Sequence, residues 1–284
     1  LENISRRKAQ YHTPVKAGFK SKSLIELNGY KALTAFLICG TVFFISFLFP
    51  VLQMMYWTII FPKHLADLKI IELFLNTILL VVLASSVLII FAFISNFGNR
   101  VTKSKFLNFL TTFSVCGYAI PGVILAVAYI SFVSWFDNNF ISFFEIKSIK
   151  SIFIGSIIGL VVVYFVRFYS LASNGIKSGY LKINYSIDES SYLLGYSKLK
   201  TFLNIHVPYL KNSVLLIGIL IAIEIIKELP ITLILRPFNF ETFATQAYIF
   251  ASQDLLEAAA APSLFLIVIA SLFILTTYRY ILKD

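Results

Sequence analysis

Six long runs of apolar residues, separated by polar stretches, dominate the hydropathy pattern of this 284-residue chain. A helix needs about 20 apolar residues to cross a hydrocarbon core of about 30 Å. Backbone polar groups must be satisfied inside lipid, and runs this long and continuous do not fit barrel strands, so we expect transmembrane α-helices. The predicted spans are 32–60, 70–95, 106–136, 149–171, 212–235 and 259–282.

Composition agrees with this pattern, because 58% of the residues are hydrophobic and only 13% are charged. A soluble domain is nearer half apolar and a quarter charged. The predicted fold class is therefore an all-α membrane protein with six transmembrane helices. The third span is longer than a bilayer requires and contains Pro121, so we expect it to tilt or kink there.

The basic residues predict the orientation of the chain in the membrane. Most of the 24 Lys and Arg residues lie in polar segments that share one side if the N-terminus is cytoplasmic. Positively charged loops stay inside, so both termini are predicted to be cytoplasmic. The net charge of +10 is then explained by contact with anionic lipid of the bilayer, and we expect no nucleic acid partner.

Two regions follow from these boundaries: a basic N-terminal segment or linker at 1–31 and a transmembrane domain at 32–284. The first region has no apolar core and so is not a signal peptide. Within the second, the predicted cytoplasmic loop 172–211 is long for a helix connection and keeps helix-forming character.

That loop is predicted to form two short helices with a break between them. Its residues that begin, end or interrupt helices are Ser186 as first cap, Asp188 and Glu189 in the first turn, Gly195 as a left-handed end, Ser197 as second cap and Pro208 before the fifth span.

The spacing of this loop resembles the signature of permeases from ATP-binding-cassette (ABC) importers. The matching positions are Glu189, Ser190, Ser191, Gly195, Ile205 and Pro208, with Ser-Ser where the family usually has Ala-Ala. The resemblance implies that the loop forms a coupling helix on the cytoplasmic ATPase, with Glu189 and the small pair touching that partner and Gly195 shaping the turn. The alternative is a capped helical loop in some other transporter.

Two further stretches resemble the ferric iron branch of these permeases. The stretch 118–126 contains Pro121-Gly122, and the stretch 227–238 begins Lys-Glu-Leu-Pro and ends Arg-Pro-Phe. The resemblance implies a type I importer permease fold in the bacterial inner membrane, translocating ferric iron delivered by a periplasmic binding protein. Relatives in this branch import thiamine, polyamines or phosphonates, and these substrates remain alternatives.

The same resemblance implies partners for the chain. These are a dimer of ATP-binding subunits, which uses ATP and Mg²⁺, and a second permease half, fused or separate. Members of this branch often fuse two six-span halves, and the run that opens at Leu1 without Met resembles a linker between them. We therefore expect a C-terminal half.

Ionisable residues near the end of the fifth predicted span are candidates for the translocation path. Glu224, Lys227 and Glu228 have helical spacing for one face, and Pro230 frees a carbonyl nearby. An ion pair between Lys227 and Glu224 that only holds the bundle together is an equally weighted alternative. Pro121 and Gly122 are further candidates, with a simple kink as the alternative, and Arg167 is expected to reach the cytoplasmic surface.

Other function classes find less support in the sequence. The chain has no phosphate-binding loop of the Gly-x-x-x-x-Gly-Lys-Ser/Thr type, so we expect no ATP or other cofactor on it. No metal-ligand spacing links His12, His64 and His206. An ion-coupled secondary transporter leaves the signature loop unexplained, and a membrane enzyme would require clustered catalytic groups that are not found.

Overall fold

The computed structural model describes residues 27–63, 68–102, 104–144 and 153–281, and these residues form helices without a strand. Most of the predicted basic segment 1–31 and the start of the fourth predicted span lie outside the described residues. The chain divides into two units, Leu1–Pro50 and Val51–Asp284. In the first unit, described from Leu27, helix α1 (Tyr30–Phe43) has no buried residue.

The helices of the chain continue in sequence order after α1. Their bounds are α2 (Phe49–Ile60), α3 (Ile70–Thr102), α4 (Lys105–Ser114), α5 (Gly122–Phe144), α6 (Ile157–Tyr180), α7 (Tyr185–Leu193), α8 (Lys198–Thr201), α9 (Val207–Ile226), α10 (Pro230–Leu235), α11 (Phe243–Ser252) and α12 (Leu256–Ile281).

Five of the six predicted spans are confirmed as helices of sufficient length and hydropathy. Five described helices qualify as candidate spans, and six qualify if the bent pair α4–α5 crosses the membrane as one span. The chain is therefore a multi-pass membrane protein that is helical throughout the residues described. Its helices position two groups of polar residues, one beside α7 and one where α5, α6 and α10 meet.

The third predicted span differs from expectation, because its two halves are bent by 115° rather than gently kinked. A 3-10 turn ends at Ala119, and Ile120 is extended with ψ of 129°. Proline disfavours the helical conformation in the residue before it, and Pro121 follows Ile120 directly. The result is a break between α4 and α5.

The fifth predicted span ends earlier than expected, since α9 ends at Ile226 and α10 starts at Pro230. Proline has no N–H, so the hydrogen bond that Pro230 would donate to the Ile226 carbonyl cannot form. The segment 227–229 is consequently a second break.

The predicted loop 172–211 is shorter in the structure, because α6 continues to Tyr180 and the helix that leads into α9 begins at Lys198. Pro208 lies in the first turn of α9 and does not interrupt this helix, contrary to prediction. A π-helical turn, Phe202–His206, precedes it, and a proline is tolerated in the first turn of a helix.

Helix α6 lies at the centre of the core of the second unit. Leu160, Tyr164, Phe168, Ala172 and Ile176 are each at most 1% exposed and repeat every four residues along it. This stripe packs in one cluster with buried residues of α3, α9 and α10. This packing fixes the position of α6. Its midpoint contributes to the polar group where α5, α6 and α10 meet, and its C-terminal end contributes to the polar group beside α7.

Candidate functional site

The helix α7 begins at a different cap from the one expected. Asn184, not Ser186, is the N-cap, and its side-chain oxygen accepts a hydrogen bond of 3.3 Å from the Ser186 N–H. Gly195 has φ of 81°, which confirms the predicted left-handed end. Ser197 accepts from the Lys200 N–H at 3.3 Å, which confirms the second cap.

The two small residues of the signature have different surroundings. Ser191 is buried, and its hydroxyl donates to the Asp188 carbonyl at 2.7 Å and lies 2.9 Å from the hydroxyl of buried Thr201. Ser190 and Glu189 are exposed. Ser191 therefore holds α7 against α8 with a hydroxyl that alanine would lack, while its two neighbours remain accessible.

Large apolar side chains are exposed at the turn between α7 and α8. Leu193, Leu194 and Leu199 are 88%, 79% and 66% exposed. Tyr192 beside them is partly covered, and this burial, together with the charge of Asp188, raises the pKa of its hydroxyl. Of the remaining signature positions, Ile205 is half-buried and Pro208 is exposed. Exposed leucines in contiguous positions are typical of a surface that contacts another protein.

The break before α5 and the break after α9 meet at an ion pair. Arg167 of α6 has its Nε 3.4 Å from Glu228 Oε2, and its Nη1 donates to the Ile120 carbonyl at 3.1 Å. Gly122 lies against both side chains: a Cβ there would be 2.8 Å from Glu228 Oε1 and 3.0 Å from Arg167 Nη1. The expectation that Arg167 reaches the membrane surface is therefore wrong, because its guanidinium is bound to the two breaks.

Glu224, Lys227 and Glu228 do not share one face, contrary to the prediction from helical spacing. Lys227 is the C-cap of α9, so Glu228 lies beyond the regular helix and is buried toward Arg167. Lys227 instead forms an ion pair with Glu224 at 2.7 Å, with its side chain 61% exposed. The ion pair weighed as the alternative is thus present, and Glu228 pairs with Arg167 instead.

Further polar contacts connect the second break to the core. The Thr232 hydroxyl donates to the Glu228 carbonyl at 2.9 Å and also hydrogen-bonds the Tyr164 hydroxyl of α6. Pro230, which opens α10, is half-buried beside this group. Lys227 on the other side lines a largely apolar cavity of about 420 Å³ together with Tyr248. Arg167 therefore lies in an ion pair between the two breaks, whereas Lys227, at the second break, is exposed beside a cavity.

A second buried polar group, not predicted from the sequence, surrounds Asp188. Its carboxylate accepts from Arg100 of α3 and from His206 of the π-helical turn. In the sequence, Arg100 is one of the 24 basic residues that predict the orientation, and His206 is a histidine without metal-ligand spacing. Arg100 lies 88 residues and His206 lies 18 residues from Asp188 along the chain, and no local sequence pattern links residues at these separations.

Among the described residues, no group of three or more His, Cys, Asp or Glu side chains is arranged to hold a metal ion. The candidate sites of this chain are thus a helical docking element at α7 and a charged contact between two helix breaks.

Known proteins similar to this chain are transport proteins. No family model matches it. The molybdate/tungstate transport system permease protein WtpB of Methanocaldococcus jannaschii is 27% identical over 153 residues, which cover 54% of this chain and 59% of that protein. The match therefore spans less than two thirds of the relative's length.

Solved structures share the fold over most of its length. A chain from a bacterial ABC transporter involved in the import of the acidic polysaccharide alginate aligns with a TM-score of 0.67 at 18% identity, covering 87% of this chain and 94% of that chain. A chain from the alginate ABC transporter in complex with an alginate pentasaccharide-bound periplasmic protein aligns with a TM-score of 0.68 at 17% identity, covering 87% and 92%. The likeness shows an ABC importer permease fold.

Proposed function

We propose that this chain is a transmembrane permease subunit of an ATP-driven ABC importer in the inner (plasma) membrane. The observation that carries the proposal is α7, where the signature spacing coincides with an ordered helix that exposes Leu193 and Leu194. This helix belongs to a fold shared with chains of ABC importers at TM-scores of 0.67 and 0.68. An ion-coupled secondary transporter would leave α7 and its exposed leucines unexplained.

In this proposal, α7 lies on the cytoplasmic side of the membrane and docks on an ATP-binding subunit. Glu189 and Ser190 are exposed there, and the leucines of the turn supply apolar area for the contact. The ATPase dimer hydrolyses ATP with Mg²⁺, while this chain transports and carries out no hydrolysis. Closure of the dimer moves α7, and helices transmit that motion to the spans.

On the opposite side of the membrane, the permease then receives substrate from a periplasmic binding protein. One of the related solved complexes contains a periplasmic protein with its ligand bound. A second permease half, fused or separate, completes the pathway. Both states of such a bundle exist beforehand, and nucleotide and binding protein bias the equilibrium between them.

We propose an anionic substrate, with molybdate-like oxyanions as the leading class. The support comes from the relatives, which are named for molybdate and tungstate or for an acidic polysaccharide. Ferric iron receives no support from these comparisons and rests on the resemblance of the stretches 118–126 and 227–238 alone. It stays a prediction, as do thiamine, polyamines and phosphonates.

Co-purification tests the permease assignment directly. The wild-type chain, purified from its native membrane, should retain an ATP-binding subunit, and Glu189→Lys or Leu194→Ser should release it. Lys198→Gln is the control, because Lys198 is exposed in the same segment and its replacement removes a charge without altering α7. Retention of the ATPase by both docking variants would exclude α7 as its contact.

Uptake by cells separates the substrate classes. Cells carrying the importer should accumulate labelled molybdate, with tungstate as competitor, and accumulation should stop when the chain is deleted. A parallel measurement with labelled ferric citrate covers the iron prediction. Uptake of iron and not of molybdate would overturn the anion proposal while leaving the permease assignment intact.

A further inference from the structure

Arg100 connects the last turn of α3 to two other elements at the α7 end. Its Nε and Nη2 lie 2.8 Å and 2.6 Å from the same oxygen of Asp188, and its side chain is 7% exposed. The Nη2 group also donates to the carbonyl of Ile183 at 3.0 Å. One guanidinium thus binds a side chain of α7 and the backbone between α6 and α7.

The carbonyl contacts are those that a helix end requires. The last carbonyls of α6 have no partner within the helix, and the Arg100 Nη1 donates to one of them, Tyr180, at 3.4 Å. A cation is also favoured by the helix dipole at this end. The guanidinium stands 4.3 Å above the Tyr185 ring, which covers it from solvent. Arg100 therefore contacts the C-terminal end of α6 and binds α7 through Asp188 at the same time.

His206 completes the cluster from the side of α9. Its Nε2 lies 2.6 Å from Asp188 Oδ1, the oxygen that Arg100 does not contact, and His206 is fully buried. An ionised carboxylate only accepts hydrogen bonds, so Nε2 carries the proton. The imidazole is held by edge-to-face contacts with Phe97 of α3 and Tyr180 of α6.

Asp188 is consequently the point where α7 is joined to the candidate spans. Each carboxylate oxygen has its own partner, Arg100 from α3 and His206 from the helix that becomes α9. A buried, charge-assisted network resists distortion, because separating its members leaves an unpaired charge away from water. The neighbouring residue Glu189 is exposed. Asp188 therefore anchors α7 to the other helices, while Glu189 is available for docking.

We propose that Asp188 is the positioning residue that makes α7, α3 and the start of α9 one rigid body, so that a displacement of α7 reaches the spans undiminished. The inference rests on the proposed function for the source of that displacement. Arg100 and His206 act through Asp188. The alternative is a pair that only stabilises the fold, which would leave α7 free to move relative to α3 after assembly.

Spin-label distances test whether α7 and α3 move together. Labels at Ile94→Cys on α3 and Ser186→Cys on α7 occupy exposed positions, in a chain whose native cysteines Cys39 and Cys116 are replaced by serine. The complex with its ATP-binding subunit is measured without nucleotide and after trapping with ADP and vanadate. The unmodified cluster should give one narrow distance peak that is the same in both states.

Variants of the cluster should change that result in a graded way. Asp188→Asn should broaden the peak and shift it between states, while ATPase association is kept. His206→Gln should preserve the peak, because glutamine can donate to Asp188 in place of the imidazole. Arg100→Lys keeps the charge but loses the planar guanidinium with its several donors, so it should broaden the distance peak partly. This variant is measured in place of Asp188→Asn if Asp188→Asn does not assemble. Lys198→Gln is the control.

Two results would overturn the inference. One is an unchanged narrow peak in both Asp188→Asn and Arg100→Lys, and the other is a peak that already shifts with nucleotide in the unmodified cluster. Absence of any ATP-binding subunit from the wild-type preparation would instead count against the proposed function. The labelled chain without nucleotide would then still report whether Asp188 holds α7 to α3.

Discussion

Arg167 of α6 and Glu228 between α9 and α10 form an ion pair, with Arg167 Nε 3.4 Å from Glu228 Oε2. The pair lies where two helices are interrupted, and each interruption supplies part of it. The break before α5 supplies the Ile120 carbonyl, and the break after α9 supplies Glu228. An ionisable pair inside a transmembrane domain is costly unless each member is satisfied, so this contact holds the two breaks in register.

Removal of the buried carboxylate should destabilise the protein far more than removal of its exposed neighbour. Glu228→Gln leaves Arg167 uncompensated, and we expect a loss of about 3–5 kcal/mol in the free energy of unfolding. Glu224→Gln breaks the exposed pair with Lys227 and should lose only about 0–1 kcal/mol. Denaturant unfolding in detergent measures both, and equal losses would contradict the structural difference between the pairs.

The glycine beside this ion pair should be sensitive to an added methyl group. In Gly122→Ala the new Cβ would lie 2.8 Å from Glu228 Oε1 and 3.0 Å from Arg167 Nη1, so the ends of these two side chains would have to shift. We expect lower thermal stability and lower uptake. Gly40→Ala in α1 is the matched control, since nothing lies within 4 Å of its Cβ, and alanine favours a helix by about 1 kcal/mol. A stable, active Gly122→Ala would show that the contact can relax.

The translocation hypothesis for the exposed pair makes a functional prediction distinct from stability. Lys227 lines an open cavity, and a cation in such a position would attract an anion during passage. Lys227→Met and Glu224→Gln should therefore alter uptake and coupled ATP hydrolysis in a stably assembled importer. Unchanged rates in both variants would show that the pair is only structural.

The left-handed turn after α7 should accept asparagine and reject a branched side chain. Gly195 has φ of 81°, and a Cβ at this position would meet nothing within 4 Å, so backbone conformation alone restricts it. Gly195→Val should lose about 1–2 kcal/mol locally and displace the exposed leucines. Gly195→Asn, which tolerates this conformation, should keep more of the ATPase in co-purification. Equal retention by both variants would mean that the shape of the turn is unimportant for docking.

Most helical spans, the C-terminal end of α7 and the start of α8 could be predicted from local sequence. Apolar runs long enough for a bilayer form helices because lipid leaves the backbone no other partner, and this holds whatever the neighbours are. Gly195 and Ser197 adopt their expected roles because a left-handed glycine and a serine cap act within a few residues. Ser186 failed as a cap because Asn184, two residues earlier, could fill the same role.

The extent of the helix breaks could not be predicted in the same way. Pro121 and Pro230 identified where hydrogen bonds would be lost, and the structure has breaks at both positions. The angle of 115° at the first break and the contact of buried Glu228 at the second with Arg167 of a third helix are tertiary features. Helical periodicity placed Glu228 with Lys227 because it assumed that the helix continued.

By itself, the sequence determined a helical membrane protein, the approximate positions of most of its spans and a helical element between two spans with a left-handed end. These properties depend on hydropathy and on neighbours within one or two turns. Only the tertiary structure decided that Asp188 joins Arg100 and His206, and that Arg167 bridges two broken helices. Such partners are brought together by the packing of α3, α6 and α9, and the separation of two residues along a chain carries no information about that packing.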